Sequence, residues 1–297
     1  MHNTPFTTVR DILRHAITRF NTEGLSFGHG SADALDEAAY LILHTLKLPL
    51  DKLEPFLDAR LLPSEIDKLL TIVERRARDR VPAAYITNEG WLGSYNFYVD
   101  ERVLVPRSFI AELIPQQFSP WVQNPDAVSN ILELCTGSGC LAILLADSFP
   151  ASVVDAVDIS RDALAVAERN VRDYQLEGRI NLIESDLYEN VPFKKYDLIV
   201  SNPPYVNSAS MSRLPKEYLH EPQIGLDGGK DGMDLVRKII AGAAERLTPE
   251  GLLLVEIGNE REFAEAAFGQ MGLTWVTTSA GDDMVFLLTA EQLQEIT

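Results

Sequence analysis

The tetrapeptide Asn202-Pro203-Pro204-Tyr205 combines residue types that could hold and orient a flat NH₂ group. Prolines carry no backbone N–H and fix their own φ, so this stretch offers hydrogen-bond acceptors on a stiff backbone. The Asn202 oxygen and nearby carbonyls could accept both NH₂ hydrogens, and the Tyr205 ring could cover the flat face or favour a cation. We predict that Asn202, Pro203 and Tyr205 are catalytic and that all four residues bind substrate. A rigid turn without chemistry is the alternative.

A glycine-containing turn lies upstream of this motif, at Thr136-Gly137-Ser138-Gly139. Glycines allow the backbone to turn sharply and to approach a ligand closely. The free N–H groups of the helix expected after the turn would suit a carboxylate or a phosphate. Taken alone, such a turn also fits a dinucleotide site or a purely structural connection.

Two acidic residues follow the next two predicted strands. Asp158 lies 21 residues after Gly137 and could accept hydrogen bonds from both ribose hydroxyls. It could instead cap the following helix, a role that Ser160 could also fill. Asp186 could meet an adenine amino group, so the pattern predicts an adenosyl ligand. The predicted cofactor-binding residues are Glu133, Cys135, Thr136, Gly137, Ser138, Gly139, Asp158, Asp186, Leu187 and Asn202.

These residues must be positioned by an alternation of strands and helices that begins near residue 106. The predicted strands cover 130–134, 153–159, 180–184, 196–201, 251–257, 274–279 and 284–289, with helices reaching 147 and covering 160–174 and 232–247. Alternation of this kind predicts an α/β fold with a seven-stranded, mainly parallel, doubly wound sheet. Ligands of such sheets lie at the carboxyl ends of the strands, where the candidate residues are expected.

The chain before residue 106 has a different character. Three helices are predicted, from Thr7 or Thr8 to Phe20, from Ala32 to Leu46, and from Pro63 onward. Alternating aromatic residues in Tyr85-Ile86 and 95–99 then predict a β-hairpin. We therefore expect a helical substrate-recognition domain at 1–84, a hairpin linker at 85–105 and a catalytic domain at 106–297.

The charge distribution restricts the partners. The net charge is −18, and residues 85–297 contain 15 Lys and Arg against 32 Asp and Glu, compared with 11 against 12 in residues 1–84. An acidic catalytic half would attract a basic partner and repel nucleic acid, although it could also serve solubility alone. No apolar run reaches the ~18–20 residues that would span a membrane.

The remaining composition points to a reducing compartment and no metal. The two cysteines, Cys135 and Cys140, lie in one turn region without a zinc-ligand pattern or a disulfide framework. The N-terminus lacks the features of a secretion signal, so we expect a cytoplasmic protein. The histidines show no ligand spacing; they are His2, His15, His29, His44 and His220.

With these motifs the chain resembles the protein glutamine amide methyltransferases, which modify release factors and ribosomal proteins. The supporting stretches are residues 81–86, 103–107, 133–139, the Asn202-to-Tyr205 motif and Gly225 to Gly232. The resemblance covers nearly the whole chain and implies a Rossmann-like class I methyltransferase domain. It also implies S-adenosylmethionine as cofactor, held by the glycine turn and Asp158, and a glutamine amide contacted by Asn202.

Three departures favour the branch that acts on the third protein of the large ribosomal subunit. The release-factor branch typically has Gly at the position of Cys135 and Trp at that of Leu187, and Pro-Asp-Thr-Glu after Arg107, where this chain has Ser108 to Ala111. We expect Cys135 to cost little if its φ is negative, and Leu187 to replace an aromatic cofactor contact with an aliphatic one. A basic large-subunit ribosomal protein is therefore the expected partner.

Three other functions stay open. Release-factor methylation uses the same motifs. An adenine-amino methyltransferase would use the same tetrapeptide on a flipped base, but residues 85–297 carry no visible basic groove, and we expect no direct sequence-specific nucleic-acid binding. A non-enzymatic assembly factor with a vestigial fold is opposed by the intact motifs.

Overall fold

The computed structural model describes residues 6–28 and 30–295. The chain forms two compact units. One comprises Met1–Gly90 together with Pro215–His220, and the other comprises Trp91–Leu214 and Glu221–Thr297. The predicted domain boundaries at residues 84 and 105 stay a prediction, since the division between the compact units falls inside the first strand of the hairpin.

The first unit is helical, as predicted. Its helices are α1 (Val9–Glu23), α2 (Ala34–Leu46), α3 (Pro63–Ala77) and α4 (Ala83–Thr87). Thr8 begins α1 through a reciprocal capping box with Asp11, and Asp33 accepts hydrogen bonds from the first N–H groups of α2. The apolar faces of α1, α2 and α3 pack into one core that includes Ile12, Phe20 and Leu69.

A buried ion cluster binds the second stretch of chain into this unit. The guanidinium of Arg76 donates to Glu37 at 2.6 Å and to Glu217 at 3.3 Å, and all three side chains are about 1% exposed. Glu217 also accepts from Arg80 at 3.2 Å and from the Ser26 N–H at 3.1 Å. Charges this deeply buried are tolerated because each is paired and hydrogen-bonded.

The hairpin is shorter than predicted. Its strands are β1 (Glu89–Leu92) and β2 (Tyr95–Tyr98), which form a two-stranded sheet. The prediction that Tyr85-Ile86 is a strand was wrong, because these residues lie in α4. Pro82 precedes that helix, and Asn88, with φ of +57°, ends it.

The second unit contains the predicted seven-stranded sheet. Its strands are β3 (Asn130–Leu134), β4 (Val153–Asp158), β5 (Ile180–Glu184), β6 (Tyr196–Ser201), β7 (Leu247–Glu256), β8 (Thr274–Thr278) and β9 (Gly281–Thr289). The order across the sheet is β5-β4-β3-β6-β7-β9-β8. All neighbours from β5 to β7 are parallel, and β9 pairs antiparallel with both β7 and β8. The predicted α/β fold is thereby confirmed.

Helices flank the sheet and close its core. They are α5 (Cys140–Ser148), α6 (Arg161–Asp173), α7 (Ser208–Met211), α8 (Asp234–Ala243), α9 (Arg261–Phe268) and α10 (Ala290–Gln294). The central strands are buried along most of their length, which is typical of parallel strands covered on both faces. The helix α9 was not predicted. Within the described residues, no helix is both long and apolar enough to cross a membrane.

Candidate active site

Most of the predicted cofactor and substrate residues follow three neighbouring strands. β3 lies between β4 and β6, and its last residue, Leu134, is paired with Val157 on one side and Ser201 on the other. The glycine turn, Asp158 and Asn202 come directly after these paired residues. They therefore meet at the carboxyl edge of the sheet, as expected for a ligand site of this fold.

The two glycines of the turn are needed for different structural reasons. Both have positive φ, +56° at Gly137 and +78° at Gly139. A Cβ added to Gly137 would meet nothing within 4 Å, so this backbone borders open space. A Cβ on Gly139 would lie 3.2 Å from the Cβ of Ala167, so Gly139 allows α6 to pack closely. Only Gly137 thus leaves its own backbone open to a ligand.

Cys135 does not have the backbone angle on which its low cost depends. Its φ is +63°, in the left-handed region that disfavours residues with a Cβ. The condition under which we expect cysteine to cost little is therefore not met. Burial and the Asp158 carboxylate raise the pKa of the thiol, so it is uncharged at neutral pH.

Glu133 supports the turn from inside the protein. It is 1% exposed and accepts a short hydrogen bond from the Thr136 hydroxyl. Burial raises the pKa of its carboxyl to about 8, against hydrogen bonds from Thr136 and the Ala142 backbone that lower it. The side chain therefore fixes the turn and the first residues of α5 and is not itself exposed to a ligand.

Asp158 joins the ends of β3 and β4. Its Oδ2 accepts from the Gly137 N–H at 2.8 Å and its Oδ1 from the Ser160 N–H at 2.9 Å. Burial raises the pKa of this carboxyl. The side chain that caps α6 belongs to Ser160, which accepts from the Ala163 N–H. The next residue, Ile159, is 52% exposed and presents an apolar side chain beside this carboxylate.

Asp186 and Leu187 differ in their surroundings. The Ser185 N–H donates to the Asp158 carbonyl at 3.0 Å, so Asp186 follows closely on the same edge of the sheet. Asp186 is partly exposed, whereas Leu187 is 8% exposed and packs in the core with Leu134. The predicted cofactor contact of Leu187 stays a prediction, and most of its side chain is used in packing.

Asn170 on α6 is a site residue that the sequence did not indicate. Its Nδ2 donates to the Ser138 carbonyl at 2.8 Å and to the Tyr98 carbonyl at 3.0 Å. Its Oδ1 accepts from the Tyr98 N–H at 2.8 Å. This buried amide ties the glycine turn to β2. An isolated asparagine within a helix has no sequence signal for such a role.

The Asn202–Tyr205 loop leaves the end of β6 beside the glycine turn. The Ser201 hydroxyl donates to the Leu134 carbonyl at 2.9 Å and joins the ends of β6 and β3. Pro203 and Pro204 are buried, while Asn202 and Tyr205 are partly exposed. The loop thus has a fixed backbone and two side chains that reach its surface.

Three glycines that are far from Tyr205 in the sequence leave the space that this residue occupies. A Cβ on Gly258 would lie 2.5 Å from Cε2 of the Tyr205 ring, and one on Gly228 would lie 2.7 Å from its Cα. A Cβ on Gly232 would clash with the Tyr205 carbonyl oxygen. The ring and its backbone therefore lie in a space that only glycines leave. Gly228 and Gly232 belong to the stretch Gly225 to Gly232, which carries the family resemblance but for which no individual roles were predicted. No role was predicted for Gly258.

The chain after Tyr205 is fixed by further bonds. Val206 forms a parallel bridge with Asp227, and the Gly228 N–H donates to the Val206 carbonyl at 3.0 Å. The Asn207 Nδ2 donates to both carboxylate oxygens of Glu260, at 2.8 and 2.9 Å. The loop is thereby connected to the segment that begins α9.

In the part of the chain that the structure describes, no group of three or more His, Cys, Asp or Glu residues could hold a metal ion. Of the histidines considered above, His2 and His29 lie outside the described residues.

The fold and the site define a methyltransferase of the class I type. The family model for the methyltransferase small domain matches residues 118–229. Among solved structures, the hMettl16 catalytic domain, crystallised with the MAT2A 3'UTR hairpin 6, superposes with a TM-score of 0.51 at 14% identity, over 78% of this chain and 85% of that chain. At this identity the likeness concerns the fold alone.

Full-length relatives give the particular family. A ribosomal protein uL3 glutamine methyltransferase of Burkholderia pseudomallei is 58% identical over 99% of this chain and 98% of the relative. One of Neisseria meningitidis is 57% identical over 97% of this chain and 94% of the relative. The chain belongs to the family of ribosomal protein uL3 glutamine methyltransferases. The expectation of the ribosomal-protein branch is confirmed.

Proposed function

We propose that this enzyme transfers a methyl group from S-adenosylmethionine to the side-chain amide nitrogen of a glutamine in ribosomal protein uL3. The observation that carries the proposal is the stiff Asn202–Tyr205 loop, which follows β6 where the Ser201 hydroxyl bonds to Leu134 at the end of β3, just before the glycine turn. The substrate is taken from the full-length relatives, which carry this activity in their names.

The residues around the glycine turn fit the proposed cofactor. The open space over Gly137 and the first N–H groups of α5 suit the carboxylate of the methionine part. Each Asp158 oxygen that accepts a backbone N–H keeps a second lone pair, so the side chain can also accept from ribose hydroxyls. The exposed Ile159 side chain suits an adenine face, and Asp186 its amino group.

The reactive loop fits a carboxamide. Pro203 and Pro204 remove two N–H donors, so the Asn202 side-chain oxygen and neighbouring carbonyls can accept both amide hydrogens. The glycines at positions 228, 232 and 258 leave the space in which Tyr205 lies, and its ring can cover the amide plane. The cofactor, when bound, supplies a methyl group already activated on a positively charged sulfur, so no strong base is needed. Alignment of the substrate with the cofactor then provides most of the rate gain, and alignment can lower the activation free energy by ~7–11 kcal/mol.

The charge of the chain suits the proposed partner. Residues 85–297 carry a surplus of acidic side chains, 32 against 15 basic ones. We expect uL3 to be a basic protein, as an RNA-binding ribosomal component would be, and a surface of opposite charge would speed its encounter with the enzyme. We place the reaction in the cytoplasm, where bacterial ribosomal proteins are made.

The proposal is tested by labelling. The enzyme is incubated with S-adenosylmethionine labelled on its methyl group and with uL3 from a strain that lacks the enzyme. A release factor and a DNA duplex are tested in parallel, and methylglutamine is sought by mass spectrometry. We expect label in uL3 alone. Label only in the release factor or the duplex would replace the proposed substrate, and no label anywhere would overturn the proposal.

Asn202→Ala links the activity to the site. We expect this variant to lose uL3 methylation by at least a hundredfold while keeping some cofactor binding, since a misplaced substrate can cost that much. Asn124→Ala, at an exposed asparagine outside the site, is the matched control and should match the unaltered enzyme.

A further inference from the structure

Two buried carboxylates fasten the segment Val105–Ile110. Glu221 accepts from the Val105 N–H at 3.0 Å and from both terminal nitrogens of Arg107, at 2.6 and 2.7 Å. Glu256 accepts from the Ser108 hydroxyl at 2.6 Å and from the Phe109 N–H at 2.9 Å. Charge-assisted bonds of this kind are short and directional, so the segment has one well-defined path.

The segment is fastened to the same end of the sheet as the reactive loop. Glu256 is the last residue of β7, and the residue before it, Val255, pairs with Ser201 at the end of β6. Asn202 is therefore level with Glu256 across the two strands. Two residues beyond Glu256, Gly258 contacts the Tyr205 ring. One strand end thus supports both the Asn202–Tyr205 loop and the Val105–Ile110 segment.

Within the turn Ser108-Phe109-Ile110, the Phe109 side chain is the one that reaches the surface. Ser108 is 5% exposed and Ile110 is completely buried, whereas Phe109 between them is only partly buried. The Ser108 hydroxyl also accepts from the Ile110 N–H at 3.2 Å, which closes the turn around the Phe109 backbone. Because the Phe109 backbone is fixed by its bond to Glu256 between two buried residues, its side chain is a preorganised apolar contact.

Burial of the Glu256 carboxylate, which accepts the hydrogen bonds of this turn, costs folding free energy. Glu256 is 1% exposed, and burial raises the pKa of its carboxyl to about 7. A neutral apolar residue would avoid this cost, yet would leave the Phe109 N–H and the Ser108 hydroxyl without their acceptor. The bonds to the turn are therefore what this side chain contributes.

We infer that Phe109 is a specificity-determining contact for the protein substrate, packing on the peptide beside the target glutamine, and that Glu256 is the positioning residue that fixes it. This inference rests on the proposed function. It assigns the Val105–Ile110 segment as a wall of the substrate slot that faces the same strand end as Tyr205.

The test compares steady-state kinetics of four variants with purified uL3 and S-adenosylmethionine. Phe109→Ala and Glu256→Ala should each raise the KM for uL3 by about tenfold or more, with the KM for S-adenosylmethionine changed less than about twofold. Glu256→Gln should restore most of the uL3 KM, because its amide oxygen can still accept from Ser108 and Phe109. Ser108→Ala removes one bond only and should give an intermediate value.

Asp155→Asn is the matched control. Asp155 is also a buried carboxylate of the sheet, bonded to Tyr196 and Lys194, but it lies within β4 and away from the carboxyl edge. This variant should lower the melting temperature without changing the KM for uL3. If Glu256→Ala does not fold, Phe109→Ala and Ser108→Ala decide the question.

The outcomes distinguish a failure of this inference from a failure of the proposed function. An unchanged uL3 KM in Phe109→Ala and Ser108→Ala, with an active unaltered enzyme, would overturn this inference alone. Equal rises in the KM for uL3 and for S-adenosylmethionine would also overturn it, since they indicate general disruption of the site. An unaltered enzyme that does not methylate uL3 would remove the proposed function and this inference together.

Discussion

The ring of Tyr205 occupies the space that a side chain on Gly258 would need, since a Cβ there would lie 2.5 Å from Cε2 of the ring. Gly258 has a φ of +52° as well, so any other residue at this position meets both backbone strain and a ring. The end of β7 thereby determines where Tyr205, the last residue of the Asn202–Tyr205 loop, can be.

We predict that Gly258→Ala lowers kcat/KM for methyl transfer by about a hundredfold, because the Tyr205 ring must move by about 1 Å. The matched control is Gly272→Ala, where φ is +69° but the nearest atom to an added Cβ is 3.4 Å away. Both variants should lose about 1–2 kcal/mol of unfolding free energy from left-handed backbone strain. Equal activities in the two variants would contradict the role given to Gly258.

The backbone of Cys135 gives a prediction about stability. At a φ of +63°, glycine avoids a penalty that every residue with a Cβ carries. Cys135→Gly should therefore be more stable than Cys135→Ala by about 1 kcal/mol, measured by urea unfolding. At Cys140, the first residue of α5, the order should reverse, with alanine better than glycine by roughly 0.5–1 kcal/mol. The same order at both positions would rule out backbone strain as the cause.

The buried carboxyl of Glu133 predicts a pH dependence of stability. Its pKa is raised from 4.5 to about 8 in the folded protein, so the folded state binds more protons than the unfolded state between these values. The stabilising contribution is complete below about pH 4.5 and is lost as the pH rises through 8. We expect the stability of Glu133→Gln relative to the unaltered protein to increase from pH 5 to pH 8.

Urea unfolding at several pH values measures this difference. Other buried acids, including Glu256, titrate in both proteins and cancel in the comparison. A constant difference between the two proteins over the whole range would show that Glu133 does not titrate there.

Asn170 links β2 to the glycine turn through three hydrogen bonds. Asn170→Ala removes them and leaves the Ser138 carbonyl without this donor, so we expect a loss of about 2–3 kcal/mol in unfolding free energy and weaker binding of S-adenosylmethionine. Tyr174→Phe is the control. It removes the two bonds between the Tyr174 hydroxyl and Asn96, which do not reach the turn. Calorimetry should show weaker cofactor binding only in Asn170→Ala, and similar affinities in both would exclude the link.

Strands β3 and β6, in the middle of the sheet, could be predicted to the residue because burial on both faces leaves a continuous apolar run. The bounds of the edge strand β5 also agree with those expected from the sequence. Tyr85 and Ile86 were assigned wrongly because aromatic residues are typical of strands, while Pro82 and Asn88 favour the one-turn helix that forms. The helix α9 spans eight residues, too short for helical periodicity to be clear.

The placement of the candidate site residues was predictable where it depends on the ends of the strands. Asn202, Tyr205, Gly137 and Asp158 meet at one edge because parallel strands bring their carboxyl ends together. The supports of the site depend instead on distances in space. Gly258 is needed only because Tyr205 lies against it, and the positive φ at Cys135 cannot be read from a residue type that normally avoids it.

The helical unit is assembled from two stretches of chain, and this limits how it can be exchanged between enzymes. Glu217, from Pro215–His220, accepts from Arg76 and Arg80 in the interior of that unit. Recombination at a single point near residue 90 would transfer both arginines and leave behind the carboxylate that they bind. Exchange of the whole helical unit therefore needs three crossovers, one near residue 90 and one on each side of Pro215–His220. The helical unit therefore cannot be moved as one continuous stretch of chain.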